Sequence, residues 1–134
     1  RDQLGTIRAA LFPSQASDLE AMALAIQIVG EVGDRASRGR LVQIAQTEDQ
    51  TGQTMPPEVQ LAIAISMAKL GDKQGWFVAD EFWDSPREVI RADSAAVYGW
   101  SGRDVDIRRL QRMLRDPSGR VRVAAAAGIL RATR

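Results

Sequence analysis

The sequence has no cysteine, no histidine and no asparagine, and only two of its eighteen basic residues are lysine. Without cysteine there are no disulfides, no thiolate nucleophile and no thiolate metal cluster. Without histidine the commonest general base and the commonest transition-metal ligand are missing. Aromatic residues make up 5% of the chain. Long hydrophobic runs are missing too: the best, 61–67, falls far short of the roughly 20 apolar residues that cross a bilayer. Charge of one sign is not in excess, because the net charge of +1 gives the whole molecule no long-range pull towards nucleic acid or an anionic surface. These absences leave compartment open: cytoplasmic, or exported if a signal peptide preceded Arg1. The chain begins at Arg1 and not at methionine, from which we expect a segment of a longer protein.

What is present is a repeat. Residues 20–34 align without gaps on 58–72, and both stretches end in Gly-Asp. Further copies start at Glu88 and at Arg120, giving start-to-start spacings of 38, 30 and 32 residues. Spacings of this size mark stacked supersecondary units, none of which buries its own apolar face alone. Each unit reads as two helices. The first is rich in alanine and lets neighbouring backbones approach. Gly33 and Gly71 suit left-handed C-terminal caps, and Asp34 and Asp72 then cap the next helix. The second helix is amphipathic, with Ile107, Leu110 and Leu114 on one face. Val78 and Phe82 match this stripe one unit earlier, and Leu41 and Ala45 one unit before that. Leu4, Ile7 and Leu11 repeat the same spacing at the start.

The expectation is therefore one all-α domain over 1–134, with roughly eight helices in about four repeats. It divides into a second helix of a partial unit (1–12), three units (17–50, 56–84 and 85–116) and a first helix (117–134). Asp116 and Pro117, followed by the Val- and Ala-rich run 121–127, resemble HEAT repeats, and most closely a short bacterial subtype also found in bilin-lyase-like proteins. The resemblance covers about 18–134. It implies a right-handed α-solenoid with the amphipathic helices lining its concave side. It also implies a non-catalytic scaffold that binds a protein partner there, and it carries no catalytic residue, metal ligand or cofactor. Some relatives of this kind bind nucleic acid or chromophores, so two alternatives stand beside the scaffold: a nucleic-acid binder using the arginine-rich end, and a bilin-lyase-like chromophore binder.

Aligning the second and third amphipathic helices on Val78 and Leu110 pairs Trp76 with Arg108, Phe77 with Arg109, Asp80 with Arg112, and Trp83 with Arg115. A position that holds arginine in one repeat should be exposed in the other. These eight residues form the candidate concave patch, since tryptophan and arginine are enriched at binding hot spots. A structural alternative places the arginines over the tryptophans and pairs Asp80 with Arg112, joining two repeats through cation–π contacts. Charge is uneven as well. Residues 101–134 hold nine arginines and three aspartates, net +6, against nine basic and fourteen acidic residues in 1–100, net −5. Nucleic acid is still the weaker expectation, because grooves for it usually add lysine and both lysines lie elsewhere. The polar stretch 46–57 supplies the extra length of the 38-residue spacing and is expected as a loop.

Overall fold

The computed structural model describes residues 2–12, 19–46 and 54–134. Among them are eight α-helices and no strand. In chain order they are α1 (Asp2–Ala10), α2 (Leu19–Glu31), α3 (Arg38–Gln46), α4 (Pro57–Lys69), α5 (Trp76–Phe82), α6 (Glu88–Ser101), α7 (Asp104–Met113) and α8 (Gly119–Ala132). No described helix is long and apolar enough to cross a membrane. The connection expected over 46–57 falls largely on 47–53, outside the described residues.

Local chemistry explains the helix ends. Gly33 and Gly71 adopt φ of 72° and 102°, a region open to glycine at little cost, and stop α2 and α4. Pro57 opens α4, where its missing N–H costs nothing. At the start of α8 the Ser118 hydroxyl accepts from the Val121 N–H at 3.4 Å. Asp34 stands at the N-cap of the short turn Arg35–Ser37, where the Ala36 N–H acts only weakly on its carboxylate. Its carboxylate is instead forked by Arg8 Nε and Nη2 at 2.8 and 2.6 Å, with the Ser37 hydroxyl donating at 2.7 Å. It thus ties α1 to the turn after α2.

Arg8 and then Ser37 hold the Asp34 carboxyl down to about 2, against the opposing effect of burial. A carboxyl depressed in the folded state stabilises the fold above its unfolded value near 4, and that share is lost as pH falls through the folded value. The denaturant midpoint should therefore fall between about pH 4 and pH 2, and Asp34→Ala should flatten this step. An Asp34→Ala chain whose midpoint falls as steeply as the wild type would contradict the assignment.

The even-numbered helices pack in series, α2 on α4, α4 on α6, and α6 on α8. The odd-numbered helices pack on this layer, α5 against α4 and α6, and α7 against α6 and α8. No two odd-numbered helices pack extensively on each other among the described residues. Small residues set the spacing of the even layer. A Cβ on Gly30 would come within 2.9 Å of the Ser66 backbone, and one on Gly99 within 2.6 Å of Gly128 Cα. The Ser66 hydroxyl donates to the Ile26 carbonyl at 2.5 Å across the first of these contacts.

Two apolar clusters result. One holds Leu11, Met22, Ile26, Val29, Leu41, Ile44 and Val59. The other holds Leu61, Ile90, Tyr98, Leu110, Met113 and Val121. Leu41 and Leu110 are fully buried as expected, but other positions of the stripe are displaced by one residue. On α7 the buried residues are Asp106, Leu110 and Met113, while Leu114 is 40% exposed. On α3 Ile44 is buried and Ala45 is exposed. On α5 Ala79 is the buried residue, and Val78 and Phe82 only flank it.

Candidate interaction surface around α5 and α7

The shifted stripe changes the reading of the candidate patch. Burial matches Ala79 with Leu110, which pairs Trp76 with Ile107 and Val78 with Arg109. Trp76 and Trp83 are half-buried at the edge of the core, not standing free on an exposed ridge. The signal was lost because the one fully buried residue of α5 is an alanine, which carries little weight in an apolar pattern.

Both tryptophans lie under arginines. Arg103 stacks on Trp76 with its guanidinium carbon 3.8 Å from the ring centre. Arg109 stacks on Trp83 at 3.9 Å. Such contacts contribute about 0.5–2 kcal/mol each. Arg103 is oriented from below, because Nε and Nη2 fork the buried Asp106 at 3.0 and 2.7 Å. Asp106 also accepts from the Ser101 hydroxyl at 2.8 Å and from the Arg103 N–H at 3.1 Å. Asp80 takes a hydrogen bond from the Tyr98 hydroxyl at 2.6 Å, and not from Arg112. Burial, and then the Asp80 carboxylate, push the Tyr98 phenol well above its usual range, so it stays a donor.

Phe77, Asp80, Arg108, Arg112 and Arg115 are exposed. Phe77 borders one cavity beside α5, and Arg112 and Arg115 border another. Phe77 and Val78 line a cleft of about 420 Å³ between α3, α4 and α5. Its floor is Ile63, Ala64 and Met67, and its far wall is Val42 and Ala45. Gly75 sets α5 down on this floor, where a Cβ would meet Ala64 Cβ at 2.7 Å. Phe77 is 60% exposed and Val42 39%. Asp72 at the rim is paired with Arg38 at 3.6 Å. The other polar lining residues are the uncharged Gln46, Gln60 and Gln74.

Trp83, Arg112 and Arg115 line the second cavity, of about 390 Å³, beside the turn between α5 and α6. Its wall includes an ion pair of Arg91 with Asp116, Nε to Oδ2 at 2.9 Å and Nη2 to Oδ1 at 3.0 Å. Sequence reading placed Phe77 correctly outside the core, but it missed Val42, Met67 and the three glutamines. Nothing in the order of residues signals that α3 and α5 stand apart over α4.

A third cavity, of about 490 Å³, lies over the even-numbered helices, lined in part by Glu31, Glu58, Ile65, Lys69 and Asp93. Burial and the neighbouring Glu58 push the Asp93 carboxyl up, and Arg120 opposes them. Among the described residues no three carboxylates are grouped so as to hold a metal ion.

No protein-family model matches the chain, and no curated protein matches it at a significant level.

Proposed function

We propose that this chain is a non-catalytic interaction module built as a HEAT-like, right-handed helical stack. It holds an uncharged, apolar segment of a protein partner in the cleft between α3 and α5. The observation that carries this reading is Phe77, 60% exposed on the lip of an apolar cleft of about 420 Å³. Solvent-facing apolar surface of this kind marks interaction sites. The volume is of the size that small ligands and anchoring side chains fill. Neutral walls favour a neutral occupant, because Asp72 already has Arg38 and the glutamines offer only amide hydrogen bonds.

The stack is supported by the serial packing of α2, α4, α6 and α8. Tight contacts in this layer and loose ones between the odd-numbered helices bend the stack towards the even side. On this reading α3, α5 and α7 lie on the outer, convex side, and the cleft opens there. This reverses the expectation that the amphipathic helices line the inner side.

The nucleic-acid and chromophore alternatives gain nothing from this geometry. Arg103, Arg109 and Arg131 of the basic end are each spent on a tryptophan of the same chain. The non-catalytic reading is supported by the absence of histidine and cysteine and by the ion pairs that occupy Asp34, Asp106 and Asp116.

Peptides selected on the immobilised chain from a displayed random library test the proposal. They should share uncharged apolar positions and lose about tenfold in affinity on Phe77→Ala, or roughly 1.4 kcal/mol. Ala45→Trp, which fills the cleft from the α3 side, should abolish binding with little change in melting temperature. Peptides that bind the Ala45→Trp chain as tightly as the wild type would exclude the cleft.

A further inference from the structure

The cavity of about 390 Å³ beside the turn between α5 and α6 has positive charge to spare. Arg91, Arg112 and Arg115 line it, against Asp84 and Asp116. Arg91 and Asp116 cancel each other in their fork at 2.9 and 3.0 Å. That leaves two guanidinium groups against one carboxylate. Arg112 and Arg115 are exposed, and among the described residues neither has a hydrogen bond, an ion pair or a ring contact. Asp84 is exposed too and has none either, so it reaches neither arginine. Other arginines of the basic end are taken: Arg103 by Asp106 and Trp76, Arg109 by Trp83, Arg131 by Trp100.

Much of the remaining wall is apolar. The Trp83 indole, Pro86 and the buried Met113 border the same space. Arg109, stacked on Trp83 at 3.9 Å, holds the indole there. Ser85 brings a hydroxyl, and its oxygen already accepts the Arg87 N–H at 3.2 Å. Such a wall suits a carbon ring and offers little to the hydroxyls of a sugar. The volume lies within the range that small ligands fill.

We propose that this cavity binds an aryl phosphate, with Arg112 and Arg115 on the phosphate and Trp83, Pro86 and Met113 against the ring. A planar guanidinium forks two oxygens at once. A phosphate monoester has three such oxygens, so it engages both arginines where a carboxylate fills one. It carries a charge of about −1.5 to −2 at pH 7, which outweighs the single opposing charge of Asp84. A continuous polyanion fits less well. Asp80, Glu81 and Asp84 are exposed on and just after α5, so a run of phosphates would meet carboxylates on leaving the arginines. A phosphotyrosine side chain and a free aryl phosphate present the same group. The cavity shares no lining residue with the α3–α5 cleft, so this inference does not rest on that site.

Calorimetric titration of the chain with phenyl phosphate tests it. Phenyl phosphate should bind, and the affinity should fall as salt is raised. Inorganic phosphate should bind at least about tenfold more weakly, for want of the ring. Arg112→Gln with Arg115→Gln should lower the affinity for phenyl phosphate at least about tenfold. Both side chains are exposed and unpaired, so the melting temperature should hold. Asp84→Asn removes the opposing charge and should raise the affinity about threefold, a gain that a misfolded chain does not give. A phosphotyrosine peptide that binds more tightly than phenyl phosphate assigns the site to a protein partner, and one that binds more weakly assigns it to a free aryl phosphate. No binding to the wild type at about 10 mM phenyl phosphate overturns the proposal. So do a double variant that binds like the wild type and inorganic phosphate that binds as tightly as phenyl phosphate. A single-stranded oligonucleotide that binds more tightly through the same two arginines overturns it as well.

Discussion

Replacing Arg91 by methionine is expected to lower the unfolding free energy by about 2–3 kcal/mol, near the lower end of the cost of breaking a buried ion pair from one side, because this pair is part-buried. The Arg91 side chain is 17% exposed and that of Asp116 11%, so neither charge has much access to water. Arg91 also donates through Nη1 to the carbonyls of Ser85 and Pro86, at 2.8 and 3.2 Å. One guanidinium therefore fastens the turn before its own helix and the turn before α8. Methionine keeps the aliphatic bulk, and it leaves the Asp116 carboxylate with only the Ser118 N–H at 2.8 Å.

Arg122 supplies the comparison. It occupies the same place on α8 and donates through Nη1 to the carbonyls of Asp116 and Pro117, at 2.8 and 3.1 Å. It is exposed, and its charge acts on the Asp116 carboxylate without the forked contact that Arg91 makes. Arg122→Met should thus cost less than about 1 kcal/mol. Chemical denaturation of both variants decides the matter, and equal losses would show that the ion pair contributes little. A pH series adds a second check. Arg91 holds the Asp116 carboxyl below its ordinary range. Its stabilisation is therefore complete above an unfolded value near 4 and fades as pH falls through the folded value. The gap between wild type and Arg91→Met should close in acid.

A methyl group on Gly99 should be damaging too. Alanine ordinarily gains about 1 kcal/mol over glycine inside a helix. At Gly99 the added Cβ would sit 2.6 Å from Gly128 Cα and 3.1 Å from its carbonyl oxygen. Those are backbone atoms, so α6 and α8 must move apart along their whole contact. Overpacking of this kind costs about 1–3 kcal/mol, occasionally more, and here it outweighs the helix preference. The net loss should be about 1 kcal/mol, and up to about 2, seen as a fall in melting temperature of roughly 3 °C per kcal/mol for a chain of this size. Gly39→Ala on α3 is the control, because a Cβ there meets nothing within 4 Å. It should raise the melting temperature, and a Gly99→Ala chain that gains as much would mean that the helices do not touch at Gly99.

Repeats and helix boundaries were legible because their signals are local. Gly-Asp after an apolar run and the Asp116, Pro117 turn each act within a few residues. The side on which each amphipathic helix is buried was less legible. On α7 the sequence offers Ile107, Leu110 and Leu114 at helical spacing, yet the buried set includes Asp106, a charge no apolar pattern would place inside. Its burial is made possible by Ser101 and Arg103, which lie outside the helix. The candidate patch was aligned on the same stripe. A shift of one residue moves a side chain by about 100° around a helix. Here it moves Trp76 and Trp83 from an exposed position to the half-buried edge of the core. The α3–α5 cleft was out of reach for another reason: it exists because two helices fail to meet, and a sequence records contacts better than gaps.

Helix α4 gives residues to both apolar clusters: Leu61 and Ala64 to one, Val59, Ala62 and Ile63 to the other. The two halves of the chain therefore share a single wall and have no separate partition between them. Unfolding of α1 to α3 would strip one side of α4 while the other side stayed packed against α6. The cooperativity of the whole molecule thus passes through one thirteen-residue helix, whose opposite faces report on different halves of the chain.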